Sequence, residues 1–180
     1  MIYMFLAEGF EETEALAPLD ILRRADLPVS TVGVSGKTVT GAHGIAVTAD
    51  ITVSELDLSS EIDAVILPGG MPGTLNLDAC PTVHKVLELA NDRGSVIAAI
   101  CAAPMILGKK GLLVGKEAIC YPGFEKDLAG ATISDKKVVR DGKIITAKGM
   151  GVAVEFGLCL VSTLKSEDCA NNIKTAIMAD

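Results

Sequence analysis

The 180-residue chain is 49% apolar but only 3% aromatic, with no tryptophan. Its core must therefore come from Ala, Val, Ile and Leu, as buried parallel strands and their covering helices usually do. That length suffices for one domain that needs neither disulfides nor metal to fold. A formal charge of −7 without a Lys/Arg cluster opposes binding to nucleic acid or to an anionic membrane, which leaves small molecules and other proteins as partners. The start, Met1 to Ala7, lacks basic residues, and no apolar run reaches membrane-spanning length, so a cytoplasmic protein is expected. The five cysteines include no C-x-x-C pair, and His43 and His84 lie far apart. Neither a disulfide framework nor a metal site is indicated.

In chain order, Ile2 to Leu6 reads as a strand and Glu11 to Ala25 as a helix, with Leu16, Leu19 and Leu22 at three-residue spacing. Val29 to Val34 is a second strand, Thr38 to Thr48 a glycine-punctuated pair of short strands, and Asp63 to Leu67 a buried strand stopped by Pro68-Gly69-Gly70. Pro81 to Asn91 predicts a helix with proline in its first turn and Val83, Val86, Leu87 and Ala90 on one face. The apolar strand Ser95 to Ile100 leads directly to Cys101, and a helix is expected to open at Ala102 and end at Gly108. Short strands follow at Ala118 to Cys120, Thr132 to Ile133, Lys137 to Arg140 and Lys143 to Ala147, the last two joined by the hairpin signal Asp141-Gly142. Helices close the chain at Val152 to Leu164 and Glu167 to Met178, with Ser166 capping the second. Alternating strands and helices with short connections predict an α/β sandwich around one doubly wound, mostly parallel sheet.

Ligands of open α/β sheets collect at the carboxyl ends of the strands, near the point where strand order reverses. Three segments end strands there: Ala7 to Glu14, Pro68 to Gly73, and Cys101 to Ala103. They offer a carboxyl group, flexible backbone with free N–H groups, and a thiol, which together suit nucleophilic catalysis. A sulfur at a helix start meets unpaired N–H groups and the positive end of the helix dipole, so Cys101 is expected to rest as thiolate. The glycines of Leu67-Pro-Gly-Gly-Met-Pro-Gly73 could present amides to an oxyanion together with the amide of Ala102. A phosphate cradle there lacks the Gly-Lys-Ser/Thr ending, and Gly149-Met-Gly151 lacks the third glycine of a dinucleotide fingerprint. Of the acidic residues around the first helix start, Glu8, Glu11 and Glu12 read as a solvated cluster favoured by the helix N-terminus. Glu14, one turn in, can point back toward the strand ends, where burial beside a thiol would raise its pKa and let it hold a proton near neutral pH.

Glu11-Glu-Thr-Glu14 with Pro18 and Asp20, Leu67-Pro-Gly-Gly70, and Ala98-Ala-Ile-Cys101-Ala-Ala-Pro104 together resemble the ThiJ/PfpI family, most closely its DJ-one branch. The resemblance extends over nearly the whole chain, including Ile21-Leu-Arg-Arg24-Ala and Lys148-Gly-Met-Gly151 to Glu155-Phe156. It implies a flavodoxin-like three-layer sandwich of the class I glutamine amidotransferase-like type, usually a homodimer. It also implies a nucleophile-elbow cysteine at Cys101, a protonated acidic partner at Glu14, and an oxyanion pocket from the amides of Gly70 and Ala102. Arg23 and Arg24 match residues of the helix used for dimer contact, and Gly69, His43 and Tyr121 fall at the pocket edge. The family's protease-type members carry a histidine directly after the nucleophile, where this chain has Ala102. The human member of the branch has a histidine where Tyr121 stands and an arginine about where His43 stands. His43 reads more readily as an exposed loop residue, His84 as an exposed helix residue, and Cys80, Cys120, Cys159 and Cys169 as structural or surface thiols, Cys120 being the one expected to approach the site.

The activity implied is a glutathione-independent glyoxalase or deglycase that needs no metal or organic cofactor, acting on a small aldehyde such as methylglyoxal or a glycated adduct. Two alternatives stay open: a non-enzymatic oxidative-stress sensor or chaperone using the same cysteine, and an amidase or peptidase, which would have to borrow an imidazole from His43.

Overall fold

The computed structural model describes residues 1–179. Its strands are β1 (Ile2–Leu6), β2 (Val29–Gly33), β3 (Thr38–Thr40), β4 (Ala46–Thr48), β5 (Ile51–Thr52), β6 (Ala64–Leu67), β7 (Val96–Ile100), β8 (Glu117–Ala118), β9 (Thr132–Ile133), β10 (Val138–Asp141) and β11 (Ile144–Ala147). The helices are α1 (Glu12–Arg24), α2 (Gly73–Asp78), α3 (Pro81–Asp92), α4 (Pro104–Lys109), α5 (Ala153–Leu164) and α6 (Glu167–Ala176). Seven strands form the main sheet in the order β10-β11-β7-β6-β1-β2-β5, and β3-β4 and β8-β9 form two small ribbons. Every neighbouring pair of the main sheet is parallel except β10 with β11, whose antiparallel hairpin turns on Asp141 and the left-handed Gly142. This is the doubly wound, mostly parallel sheet that the alternation of elements predicts.

The central strands alternate strictly between two cores. Ile2, Met4 and Leu6 face one core together with α1, α5 and α6. Tyr3, Phe5 and Ala7 face the other, with α2, α3 and α4. Both faces are apolar because both are covered, which is why these strands read as continuous hydrophobic runs. At the α1–α5 crossing there is no room for a side chain on Gly157, whose added Cβ would sit 2.8 Å from Ile21 Cδ1 and 3.0 Å from Pro18 Cα. The small residue therefore lets the two helices approach closely, and it sets α1 in place above the sheet.

Several boundaries differ from expectation. The helix after Cys101 begins at Pro104 rather than Ala102, since residues 101–103 form a turn. The expected strand Ala118–Cys120 is Glu117–Ala118, pairing parallel with Thr132–Ile133. The short helix α2 and the edge strand β5 had no periodic signal, being only six and two residues long. Strand order reverses between β1 and β6: the chain steps from β1 outward to β2 and β5, then returns to β6 and proceeds the other way through β7 to β11. The carboxyl ends of β1, β6 and β7 thus meet at the switch point.

Candidate active site

Cys101 follows β7 immediately and sits at φ 65, a left-handed conformation that costs a non-glycine residue energy and persists only where its surroundings hold it. Two hydrogen bonds hold it. The Cys101 N–H donates to the Ala147 carbonyl at 2.9 Å, and the Tyr121 N–H donates to the Cys101 carbonyl at 2.8 Å. The sulfur is half-buried and is faced by the amides of Gly70 and Ala102.

The β6 turn lies directly against it. Gly69 donates its N–H to Glu14 Oε2 at 3.0 Å, while its carbonyl accepts from the Glu11 N–H at 2.9 Å, so the start of α1 is tied to the end of β6. A Cβ on Gly69 would lie 2.6 Å from Glu14 Oε2 and 2.7 Å from Cys101 Cβ. Only a glycine lets carboxyl and thiol come together. Gly70, at φ +89, adopts the left-handed backbone that turns its amide toward the sulfur.

Glu14 is 1% exposed and hydrogen-bonds the Cys101 thiol. Burial pushes its pKa up to about 7, against the opposing hydrogen bonds from Cys101 and the Gly69 and Met150 amides, while the negative Glu11 adds to the rise. Burial likewise pushes the Cys101 thiol up to about 12, reinforced by the charge of Glu14, and the Gly70 and Ala102 amides offset only part of this. The expected thiolate thus meets opposition: α4 begins only at Pro104, so the sulfur has the Gly70 and Ala102 amides to favour its charge, against burial and the neighbouring Glu14 carboxyl. Between about 7 and about 12 the pair holds one proton between two acids. Moving that proton from sulfur to carboxyl produces a thiolate beside a neutral acid.

The solvated reading of the other glutamates fails for Glu12, which is 5% exposed. Its carboxylate accepts from the His43 N–H and ring Nδ1, each at 2.8 Å, and from the Ile45 N–H at 3.4 Å. Burial opposes ionisation, but these donors hold Glu12 down to about 2. Glu8 accepts from the Thr40 N–H, and Glu11 is also largely covered. The acidic turn is thus a clamp on the β3–β4 ribbon. The His43 ring is exposed and bound to Glu12, with Glu11 Oε2 at 3.5 Å. Its pKa is raised by the Glu12 hydrogen bond and by both carboxylates. Among the described residues, Glu11, Glu12 and His43 form the one grouping with metal-ligand chemistry, their atoms within 4.8 Å of one another. Glu12 already spends its oxygens on the ribbon.

Tyr121 stands at the pocket edge, half-exposed, its ring 3.3 Å from the position a Cβ on Gly149 would take; Glu14 Oε1 is 3.9 Å from that same position. Cys120, next to it, is buried, and burial pushes its thiol up to about 11. Arg23 pairs with Asp50 at 2.8 Å and Arg24 with Asp20 at 2.6 Å, both exposed at the far end of α1. His84 is not free in solvent: its Nε2 lies 2.6 Å from the Asp78 carbonyl oxygen. Sequence reasoning missed the Met150 amide and the Glu12 clamp. Neither has a local signal, because one donor is main chain and the other depends on residues about thirty positions away.

A three-layer sandwich with a thiol on a left-handed turn at its switch point defines the flavodoxin-like, class I glutamine amidotransferase-like class, and solved structures agree with it closely. The DJ-1/PfpI family model matches residues 1–163, and the chain belongs to that family. Protein DJ-1 homolog B of Arabidopsis thaliana is 39% identical over 168 residues, 92% of this chain and 38% of that protein; the chain spans well under half of that relative's length. Glutathione-independent glyoxalase DJR-1.2 of Caenorhabditis elegans is 32% identical, covering 92% of this chain and 89% of the relative. The structure of Toxoplasma gondii DJ-1, oxidized, superposes with a TM-score of 0.94 at 31% identity, over 98% of this chain and 97% of that one.

Proposed function

We propose that the chain is a cysteine-dependent glyoxalase or deglycase in which Cys101 is the nucleophile and Glu14 the proton carrier. The observation that carries this reading is the hydrogen bond between the buried Glu14 carboxyl and the Cys101 thiol, beside two amides aimed at the same sulfur. The glyoxalase among its relatives supports the substrate class.

Glu14 takes the thiol proton as Cys101 Sγ bonds to the aldehyde carbon of methylglyoxal, and the Gly70 and Ala102 amides hold the developing oxyanion. Returning the proton to that oxygen gives the hemithioacetal. Glu14 then removes the hydrogen of the former aldehyde carbon and delivers it to the neighbouring carbon while the hydroxyl proton passes to the neighbouring oxygen, so the first carbon is oxidised and the second reduced within one molecule. Water opens the resulting thioester to lactate and restores the thiol. None of these steps calls on a metal or an organic cofactor. The same attack on an early adduct of an amine or thiol releases that group and amounts to deglycation. A homodimer and a cytoplasmic location belong to the same proposal, with the exposed Arg23–Arg24 end of α1 as the candidate contact; sedimentation of the purified protein tests the dimer.

The test is lactate production from methylglyoxal, without glutathione or metal, by the protein and by Cys101→Ser. Turnover that falls to background in the variant is the expected result, and equal turnover sinks the scheme. A second reading, oxidative sensing, is favoured by the half-exposed Cys101 and by the relative solved in an oxidized state. Two peroxide molecules would carry the thiol through sulfenic to sulfinic acid, each releasing water, with protonated Glu14 donating to the product. Peroxide-treated protein should then carry the added oxygens on Cys101 before any other cysteine by mass spectrometry. The peptidase reading would need an imidazole at the sulfur, and the groups acting on Cys101 are Glu14 and the Gly70 and Ala102 amides.

A further inference from the structure

Beside the Cys101–Glu14 pair lies a groove of about 420 Å³ lined by Tyr121, Pro122, Lys148, Gly149, Met150 and Val152. Its wall and the reacting pair share the 149–150 backbone. A Cβ on Gly149 would lie 3.3 Å from the Tyr121 ring and 3.9 Å from Glu14 Oε1, the Met150 amide faces the Glu14 carboxyl, and the Tyr121 N–H donates to the Cys101 carbonyl. The lining is almost all carbon, yet it is open: Tyr121 is 51% and Met150 54% exposed. Large apolar side chains left in water next to a reactive centre are the usual form of a site completed by an apolar ligand. The methyl group of methylglyoxal fills little of such a space.

We propose that this groove is a subsite for an aromatic-sized apolar substituent on the second carbon of a 2-oxoaldehyde, so that aryl glyoxals are preferred to methylglyoxal. The inference rests on the proposed glyoxalase reading and names its substrate class. A ring in the groove would stack on the face or edge of Tyr121 and touch the Met150 thioether, both favourable partners for a π-system. The chemistry is unchanged: phenylglyoxal plus water gives mandelate, the aldehyde carbon being oxidised and the ketone carbon reduced.

Two measurements test it together. In turnover, kcat/KM for phenylglyoxal should exceed that for methylglyoxal by at least about ten-fold, through a lower KM. The ratio should collapse toward one in Tyr121→Ala and survive in Tyr121→Phe. In protection, phenylglyoxylate, which has the ring but no aldehyde, should slow iodoacetamide alkylation of Cys101 at about ten-fold lower concentration than pyruvate, again only while residue 121 is aromatic. Met150→Ala, which keeps the main-chain amide, should weaken both preferences. Turnover of both aldehydes with equal kcat/KM, or equal protection by the two acids, overturns the subsite. Selective protection without turnover of either aldehyde overturns the glyoxalase reading and leaves the subsite standing.

Discussion

Glu12 and Glu14 are two residues apart in the first turn of α1, and both are almost fully covered, yet Glu12 ionises near 2 and Glu14 near 7. Burial raises both. Glu12 meets two main-chain N–H groups and the ring of His43, donors that stabilise the charged form. Glu14 meets the Gly69 and Met150 amides, a thiol that is itself an acid in place of an imidazole, and the neighbouring charge of Glu11. A carboxyl's proton is therefore set by its depth among protein atoms, greater for Glu14, together with the kind of donors that arrive from other elements. One glutamate is a fastening for the β3–β4 ribbon, and the other is available for proton transfer.

The largest test of that contrast is Glu14→Gln, which keeps the shape and removes the proton carrier. Lactate formation should fall by roughly 10²- to 10⁴-fold, while Glu12→Gln leaves most of it intact. In the unaltered protein kcat/KM should rise with pH through about 7, as the pair loses its first proton; a flat profile between pH 5 and 9, as estimated from the usual span for such groups, would remove Glu14 from the mechanism. Next comes Gly69→Ala. With no space between Glu14 Oε2 and Cys101 Cβ, the added methyl should cost about 1–3 kcal/mol in denaturant unfolding and part the reacting pair.

A smaller effect, opposite in sign at the two sites, appears in Tm against pH. Glu12 is lowered from 4.5 to about 2, so its contribution is complete above 4.5 and disappears as pH falls through about 2. Glu14 is raised from 4.5 to about 7, so its contribution is complete below 4.5 and disappears as pH rises through about 7. Glu12→Gln should flatten the acid limb and Glu14→Gln the neutral limb; exchange of the two outcomes would reverse the assignment. The smallest effect belongs to His43→Ala. Glu12 and Glu11 push this imidazole toward its charged form, so removing it leaves the field of Glu11 on Glu14 less compensated, and the inflection in the rate profile should move upward, slightly, with little loss of stability at the exposed ring.

Much of the molecule was legible in the chain. The continuous apolar runs Ile2–Leu6, Ala64–Leu67 and Val96–Ile100 mark buried parallel strands because both sheet faces are covered. Cys101 at the end of one such run and glycines at the end of another placed thiol and amides at the same sheet edge, and Glu14 was identified from its offset along α1. How Cys101 and Glu14 divide a proton was not legible, and the solvated reading of Glu12 was wrong because its donors come from the β3–β4 ribbon. Helix α2 and strand β5 escaped notice because so few residues carry no period.

What the sequence alone determined, then, is the order of elements and which of their ends carry reactive groups, because hydrophobic periodicity and turn chemistry are local. Only the tertiary structure decided which carboxyl holds a proton and which is charged, and that a carbon-lined groove adjoins the reacting pair. Those properties depend on donors and walls brought from the β3–β4 ribbon, the Gly69 turn and the 149–152 turn, and a group's charge responds to that assembled surrounding rather than to its neighbours in the chain.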